Sequence, residues 1–200
     1  MKIIFIGDSI SAGARGEAVG FPIYVQKYLK EKFKNIEFNF ETIAFWGYQT
    51  SDMINYIKEN NISLKADIVV LEMGTNDVLH NYDNNSLSNK QFKKRYLELV
   101  NIIKENNPIL LIVEPYILIN DPMRSYKRDL LVKFNKSIKS IAKDSANEIV
   151  LTDTIFKQIS KQRDASIYMA DYLHLNDAGA KLVGRYCLDK IEKILETYNG

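Results

Sequence analysis

Short, unbroken apolar runs alternate with amphipathic helical segments along this chain, and this alternation constrains the fold more than any other feature of the sequence. Such runs are typical of strands buried on both faces of a parallel sheet. They occur at residues 3–6, 68–71, 109–113 and 148–151. Residues 36–43 instead alternate apolar and polar side chains, which predicts a half-exposed strand or one at a sheet edge.

Apolar residues at helical spacing predict helices between these strands. The helical segments are 21–33, 50–60, 88–106, 124–145 and a last helix that starts near residue 177. The polar stretch at residues 80–89 is expected to be a mobile loop. Strands that alternate with helices indicate a parallel sheet with helices on both faces. We therefore predict an α/β fold with three layers, α/β/α, about five mostly parallel strands, and a single domain over residues 1–200.

Composition excludes several classes of function. Lysine and arginine number 27 against 25 acidic residues, a net charge of +2, so we expect no nucleic-acid partner. The chain has one cysteine, Cys187, and two histidines. These residues make a poor set of metal ligands, and we expect no metal and no cofactor. No apolar run is long enough for a membrane span, and the N-terminus does not resemble a signal peptide. These features predict a cytoplasmic protein.

Small polar residues follow the strands at the points where the strands end. Because ligands bind beyond the carboxyl ends of the strands in open parallel sheets, these residues are expected to share one edge and form the functional site. The segments are Gly7-Asp8-Ser9, Trp46-Gly47-Tyr48, Gly74-Thr75-Asn76-Asp77, Glu114-Pro115-Tyr116 and, before the last helix, Asp171-Tyr172-Leu173-His174.

Ser9 is a candidate nucleophile, and a serine nucleophile needs a base that is oriented by an acid. His80 lies in a polar stretch and is interpreted as a solvated loop histidine. His174 follows Asp171 by three residues, so one turn of backbone could bring the carboxylate to the imidazole. The competing interpretation of this segment is an ordinary helix entry, with Asn176 or Asp177 as the cap.

The candidate site also offers donors for a developing oxyanion. They are the N–H groups of Ser9 and of Gly47, where a missing Cβ allows close approach, and the side-chain amide of Asn76. Each position has a plainer interpretation, since glycine and asparagine are also turn residues. Asp8 could simply steady the turn. The aromatic residues beside Gly47, like Tyr116, could line a substrate pocket or pack beneath the loop.

In combination, Gly7-Asp8-Ser9, Gly47, Gly74-Thr75-Asn76-Asp77 and Asp171-x-x-His174 resemble the four blocks of the SGNH hydrolases, also called the GDSL esterase family. The resemblance implies a flavodoxin-like fold with Ser9 as nucleophile, His174 as base and Asp171 as its orienting acid. It also implies an oxyanion hole formed by Ser9, Gly47 and Asn76.

Residues 112–118 (IVEPYIL) resemble a segment of intracellular carbohydrate acetyl esterases in that family. This implies an esterase that hydrolyses small acyl esters, above all acetyl esters of sugars or oligosaccharides. Such esterases often form homo-oligomers. A lipid or thioester acyl hydrolase is the alternative within the family. A phosphate-binding module built on residues 7–11 is the alternative outside it, but that module would lack a Walker lysine and would leave Asp171 and His174 without a role.

Overall fold

In the computed structural model, which describes residues 1–13, 16–82 and 86–198, five parallel strands form one sheet. The strands are β1 (Lys2–Gly7), β2 (Asn39–Ala44), β3 (Ile68–Glu72), β4 (Ile109–Val113) and β5 (Glu148–Val150). Their order is β2-β1-β3-β4-β5, which is the order of flavodoxin-like proteins. The predicted α/β fold is confirmed, and β2 lies at an edge of the sheet as its alternating pattern indicated.

Eight α-helices connect or flank these strands in the described residues. They are α1 (Ser9–Ala12), α2 (Pro22–Lys32), α3 (Thr50–Glu59), α4 (Thr75–Asn81), α5 (Asn89–Lys104), α6 (Arg128–Ser145), α7 (Thr152–Ser160) and α8 (Asp177–Tyr198). Two short 3₁₀ helices occupy Ser125–Lys127 and Ala165–Tyr168. No helix among the described residues has the length and apolar character needed to cross a bilayer.

The core has two halves because successive side chains of a strand point to opposite faces of the sheet. In β1, Ile4 and Ile6 pack into one half, whereas Ile3 and Phe5 pack into the other. Helices α3, α5 and α6 cover the first face, and α2, α7 and α8 cover the second. This is the predicted three-layer arrangement, and it explains why the central strands are apolar on both faces.

Three short helices were absent from the sequence-based prediction. Helix α4 begins with Thr75, Asn76 and Asp77, which are buried although they are polar, so it presents no apolar stripe to recognise. Helices α1 and α7 have only four and nine residues. The predicted loop at residues 80–89 is wrong at its ends, because Asn81 closes α4 and α5 starts at Asn89. Residues 83–85 of that loop lie outside the described residues.

The sheet order places the ends of two strands beside each other at the edge where the candidate residues lie. β1 and β3 are neighbours, with Gly7 paired with Glu72 in the parallel register. Helix α1 leaves the end of β1 at Ser9, and α4 leaves the end of β3 at Thr75. Their first turns therefore meet at the topological switch point of the sheet, which is where ligands bind in this architecture.

Candidate active site

Ser9 is held at the start of α1 by a tight turn after β1. A Cβ at Gly7 would lie 2.1 Å from the Oγ of Ser11, so only glycine fits this turn. The Asp8 carboxylate caps α1, with its Oδ1 accepting a hydrogen bond from the Ile10 N–H at 2.9 Å. The Ser9 N–H belongs to the first turn of a helix, whose amide groups have no acceptor within the helix.

Asp171 and His174 lie on a short loop that folds back on itself before α8. Its two ends are joined by an antiparallel bridge between Met169 and Leu175. Within the loop, the Leu173 carbonyl accepts a hydrogen bond from the hydroxyl of Tyr116 at 2.6 Å. Because Tyr116 is fully buried in the core, this bond fixes the loop to the sheet.

The side chains of Ser9, His174 and Asp171 form a continuous chain of hydrogen bonds. The Ser9 Oγ lies 3.0 Å from His174 Nε2, and His174 Nδ1 lies 2.7 Å from Asp171 Oδ2. The other oxygen of Asp171 accepts hydrogen bonds from the backbone N–H groups of His174, at 2.8 Å, and Leu173, at 3.2 Å. Partial burial raises the pKa of Asp171, but these hydrogen bonds outweigh it and hold the pKa below its ordinary value. An ionised Asp171 accepts the Nδ1–H, which leaves Nε2 as the acceptor for the Ser9 hydroxyl.

Asn76 and Gly47 lie beside this chain. The Asn76 Nδ2 donates to Asp8 Oδ2 and to the Tyr48 carbonyl, both at 3.1 Å, so its NH₂ rather than its oxygen faces the loop after β2. Gly47 has a φ of +74°, a conformation that side chains rarely adopt, and open space lies where its Cβ would be. The structure thus brings together Ser9, Gly47, Asn76, Asp171 and His174, whereas Glu114 and Tyr116 do not line the cleft.

A surface cleft of about 370 Å³ opens over these groups. It is lined by Ser9, Trp46, Gly47, Asn76, Asp171, Leu173 and His174. The indole of Trp46 is 49% exposed, and its Nε1 donates to the carbonyl of Gly13 at 2.7 Å, which fixes the ring as a wall of the cleft. Tyr48 instead packs its ring against Phe45 at 4.7 Å. Of the aromatic residues considered, Trp46 lines the cleft, whereas Tyr48 and Tyr116 serve packing and loop support.

The remaining candidates take structural places. His80 is exposed in the last turn of α4, so it lies on a helix and not in the loop that the sequence predicted. Asn176 caps α8 by accepting a hydrogen bond from the Gly179 N–H at 3.0 Å. Cys187 is buried, and burial raises the pKa of its thiol. Within the described ranges, no cluster of three or more His, Cys, Asp or Glu side chains could hold a metal ion.

The sequence analysis missed Glu72, which is buried next to Asp8. Glu72 accepts a hydrogen bond from the Ser11 hydroxyl at 3.1 Å, and its pKa is raised well above the ordinary value by burial and by the charge of Asp8. Burial also raises the pKa of Asp8. The available signal was a glutamate that ends an otherwise apolar strand, IVVLE, because an acid seldom occupies a fully buried strand position without a partner.

A serine, a histidine and an aspartate joined by hydrogen bonds at the carboxyl edge of a flavodoxin-like sheet are the arrangement of serine hydrolases. The model of the GDSL-like Lipase/Acylhydrolase family matches residues 5–182, and the chain belongs to this family of SGNH hydrolases. It is accordingly a carboxylic ester hydrolase.

Two curated relatives are similar to this chain. A multidomain esterase from Ruminococcus flavefaciens is 25% identical over the whole chain, which spans only 29% of that relative's length. An acetylxylan esterase from Geobacillus stearothermophilus is 27% identical, and the match covers 95% of this chain and 93% of the relative.

Solved structures share the fold. The crystal structure of an acetylxylan esterase from Geobacillus stearothermophilus has a TM-score of 0.80 at 23% identity and covers 95% of this chain and 93% of that one. A structure from Parabacteroides merdae, described as a GDSL-like lipase, has a TM-score of 0.84 at 17% identity, with 94% of each chain covered.

Proposed function

We propose that this protein is a serine esterase that removes small acyl groups, above all acetyl, from sugars or oligosaccharides, with Ser9 as nucleophile, His174 as general base and Asp171 as the acid that orients it. The observation that carries the proposal is the unbroken hydrogen-bond chain from Ser9 Oγ to His174 at 3.0 Å and on to Asp171 at 2.7 Å. A serine hydroxyl becomes a useful nucleophile only when such a base accepts its proton.

The reaction has two steps. The Ser9 Oγ forms a bond to the ester carbonyl carbon while its proton passes to His174 Nε2, and Asp171 stabilises the imidazolium. The tetrahedral intermediate collapses, the bond to the alcohol oxygen breaks, and His174 returns the proton to the leaving alcohol. A water molecule then attacks the acyl-enzyme by the same route and releases the acid.

The negative oxygen of each tetrahedral intermediate is held by three donors in the proposal. They are the N–H groups of Ser9 and Gly47 and the Nδ2 of Asn76, which line the same cleft. Losing one such donor typically lowers kcat by about 10²–10³. Ser9 and Asn76 lie in the first turns of α1 and α4, which leave neighbouring strands at the switch point, so the sheet fixes two of the donors.

The dimensions and walls of the cleft support a small acyl group on a sugar. A cleft of about 370 Å³ lies at the low end for small-molecule sites, and its apolar walls are Trp46 and Leu173. An exposed, fixed indole suits the apolar face of a sugar ring, whereas a long acyl chain needs an extended apolar channel. The relatives to which the chain is similar are named a multidomain esterase and an acetylxylan esterase. Family membership favours hydrolysis over the phosphate-binding alternative.

The substrate is tested with p-nitrophenyl esters of increasing acyl length, run beside acetylated xylo-oligosaccharides. We expect the highest kcat/KM at acetate and release of acetate from the oligosaccharides. A preference for long acyl chains would support the lipid or thioester alternative and contradict this proposal. The cytoplasmic location, the single domain and the homo-oligomer stay predictions.

The assigned residues are tested in the same assay. Ser9→Ala and His174→Ala should each lower kcat by about 10³–10⁶, and the double variant should be no worse than either, because the residues act as a unit. His80→Ala is the matched control, since His80 is the second histidine and lies exposed on α4. If His80→Ala lost activity while His174→Ala kept it, the assignment of the base would be wrong.

A further inference from the structure

Two buried carboxyl groups lie side by side next to Ser9. Asp8 follows β1 and is fully buried, and Glu72 ends the neighbouring strand β3 and is 1% exposed. The sheet register pairs Gly7 with Glu72, and the two carboxyl groups are close enough for the charge of Asp8 to raise the pKa of Glu72. Removing an acid pair from water in this way costs free energy, so such a pair is expected only where it performs a function.

The surroundings of the pair determine its charge. The groups that act on it are Asp77, which is acidic, and the neutral side chains of Tyr96, Tyr116 and Cys187. Two negative charges close together in such a site repel each other strongly, which favours a state in which the pair keeps a proton near neutral pH. Burial raises the pKa of both groups, that of Asp8 to about 7 and that of Glu72 well above its ordinary value. The hydrogen bonds that Asp8 accepts limit the rise of its pKa, whereas the charge of Asp8 raises that of Glu72 further, so Glu72 is the group that holds a proton more firmly.

The hydrogen bonds to Asp8 show where this charge acts. Its Oδ1 caps α1 by accepting from the Ile10 N–H, and its Oδ2 accepts from the Nδ2 of Asn76 at 3.1 Å. Both Asp8 and Asn76 are buried, so water does not compete for this bond. A carboxamide rotated by 180° would place its oxygen against the carboxylate, which is repulsive.

We propose that Asp8 is a positioning residue whose carboxylate fixes the Asn76 carboxamide with its NH₂ group toward the Ser9 cleft. The proposal rests on the proposed function, in which Asn76 stabilises the oxyanion. A rotated Asn76 would present its oxygen to the oxyanion and oppose the reaction.

Asp8→Asn is the sharpest variant, because it keeps the size of the side chain and an oxygen that can cap α1. It places an NH₂ group against the NH₂ of Asn76 and forces that carboxamide to rotate. With p-nitrophenyl acetate we expect kcat to fall by about 10²–10³, with KM within about threefold because ground-state binding is unaffected.

A double-mutant cycle separates positioning from a general loss of structure. In an Asn76→Ala background there is no carboxamide left to orient, so Asp8→Asn should lower kcat by less than about threefold. Thermal unfolding of the four proteins records any loss of stability. If Asp8→Asn does not fold, Asp8→Ser replaces it, since serine also caps the helix but does not reach Asn76, and the same kcat loss is expected.

Two acid-to-amide variants complete the test. Glu72→Gln keeps the size of the side chain and an acceptor for Ser11, so kcat should stay within about fivefold of the wild type. Glu114→Gln is the matched control. Glu114 is a buried acid at the end of β4 that lies 2.8 Å from Lys139, away from the residues that line the cleft, and kcat should change by less than about twofold.

The proposal is overturned if Asp8→Asn has the kcat of the wild type, or if it lowers kcat by the same factor with and without Asn76. Failure of the proposed function looks different, because Ser9→Ala would then remain active. An inactive Ser9→Ala together with equal losses in the two backgrounds would reject only the positioning role.

Discussion

The two oxygens of Asp171 have different partners, and this makes the conservative substitution more harmful than deletion. Oδ2 faces His174 Nδ1, whereas Oδ1 accepts hydrogen bonds from two backbone N–H groups, those of Leu173 and His174. In Asp171→Asn the single amide oxygen is held by these two N–H groups, so the NH₂ faces the imidazole. Nδ1 must then accept, the proton moves to Nε2, and Nε2 can no longer take the proton of Ser9.

The magnitudes follow from the geometry. In Asp171→Ala the enzyme loses the attraction between carboxylate and imidazolium. For charges 4 Å apart this attraction is about 1 kcal/mol at the dielectric constant of water and about 4 kcal/mol at that of a protein surface. The Asp171 side chain is 52% exposed, so water screens the charge and the lower half of that range applies. We expect kcat to fall by about 5–70-fold. Asp171→Asn loses the same charge, and returning the oxygen to His174 gives up two backbone hydrogen bonds of about 1 kcal/mol each. This adds a factor of about 30, so kcat should fall by about 10²–10³.

The assay is p-nitrophenyl acetate hydrolysis, with kcat and the thermal midpoint measured for both variants. Asp177→Asn is the control, since Asp177 is an exposed carboxylate at the start of α8 that pairs with Lys181, and its kcat should equal that of the wild type. An Asp171→Asn enzyme as active as Asp171→Ala would refute the reasoning. It would mean that the backbone N–H groups do not decide which end of the side chain faces the imidazole.

Three further outcomes are expected. Gly47→Ala should lower the free energy of unfolding by about 1–2 kcal/mol in urea titration, because its φ of +74° is strained for alanine while the space around it is open. A loss above about 4 kcal/mol would contradict this. Trp46→Ala should raise KM for acetylated xylo-oligosaccharides by about tenfold through loss of stacking, while KM for p-nitrophenyl acetate stays nearly constant. Burial raises the pKa of Glu72 in the folded protein well above its ordinary value of 4.5. Above pH 4.5 the unfolded chain therefore loses a proton that the folded protein keeps, so the free energy of unfolding of the wild type falls as pH rises. The free energy of unfolding of Glu72→Gln should therefore gain on that of the wild type by about 1.4 kcal/mol per pH unit above that value. A difference in unfolding free energy that is constant from pH 4 to 8 would show that Glu72 is ionised in the folded protein.

The fold could be predicted because its determinants are local. The apolar runs of β1, β3 and β4 and the stripes of α5 and α6 are short-range patterns, and their alternation leaves few topologies. The candidate residues were found for the same reason: each one follows a strand or precedes the last helix, and parallel strands bring their carboxyl ends to one edge. The strand ends predicted one shared edge for Ser9, Asn76 and His174, and the resemblance to the four SGNH blocks assigned their roles.

What could not be predicted are contacts that depend on packing between distant segments. Glu72 gives no sign in the sequence of its contact with Asp8, because the register that pairs Gly7 with Glu72 exists only once the sheet has formed. The bond from Tyr116 to Leu173 joins residues 57 positions apart and resembles ordinary aromatic packing in the sequence. Helix α4 was missed because its first turn buries polar side chains for the site instead of apolar ones for the core.

The two hydrogens of the Asn76 amide have unequal acceptors, and this decides how an oxyanion is received. One is given to the Asp8 carboxylate in the interior and the other to the neutral Tyr48 carbonyl in a partly buried place. Hydrogen bonds to a charged acceptor are about twice as strong as those to a neutral one. In the proposed mechanism we therefore expect the bond to Tyr48 to break when the negative oxygen forms, while the bond to Asp8 persists and keeps the amide in orientation. In this exchange the Asn76 amide leaves a neutral acceptor for a charged one, and it does so only in the transition state. An interaction that is stronger in the transition state than with the bound substrate accelerates the reaction instead of merely binding the substrate.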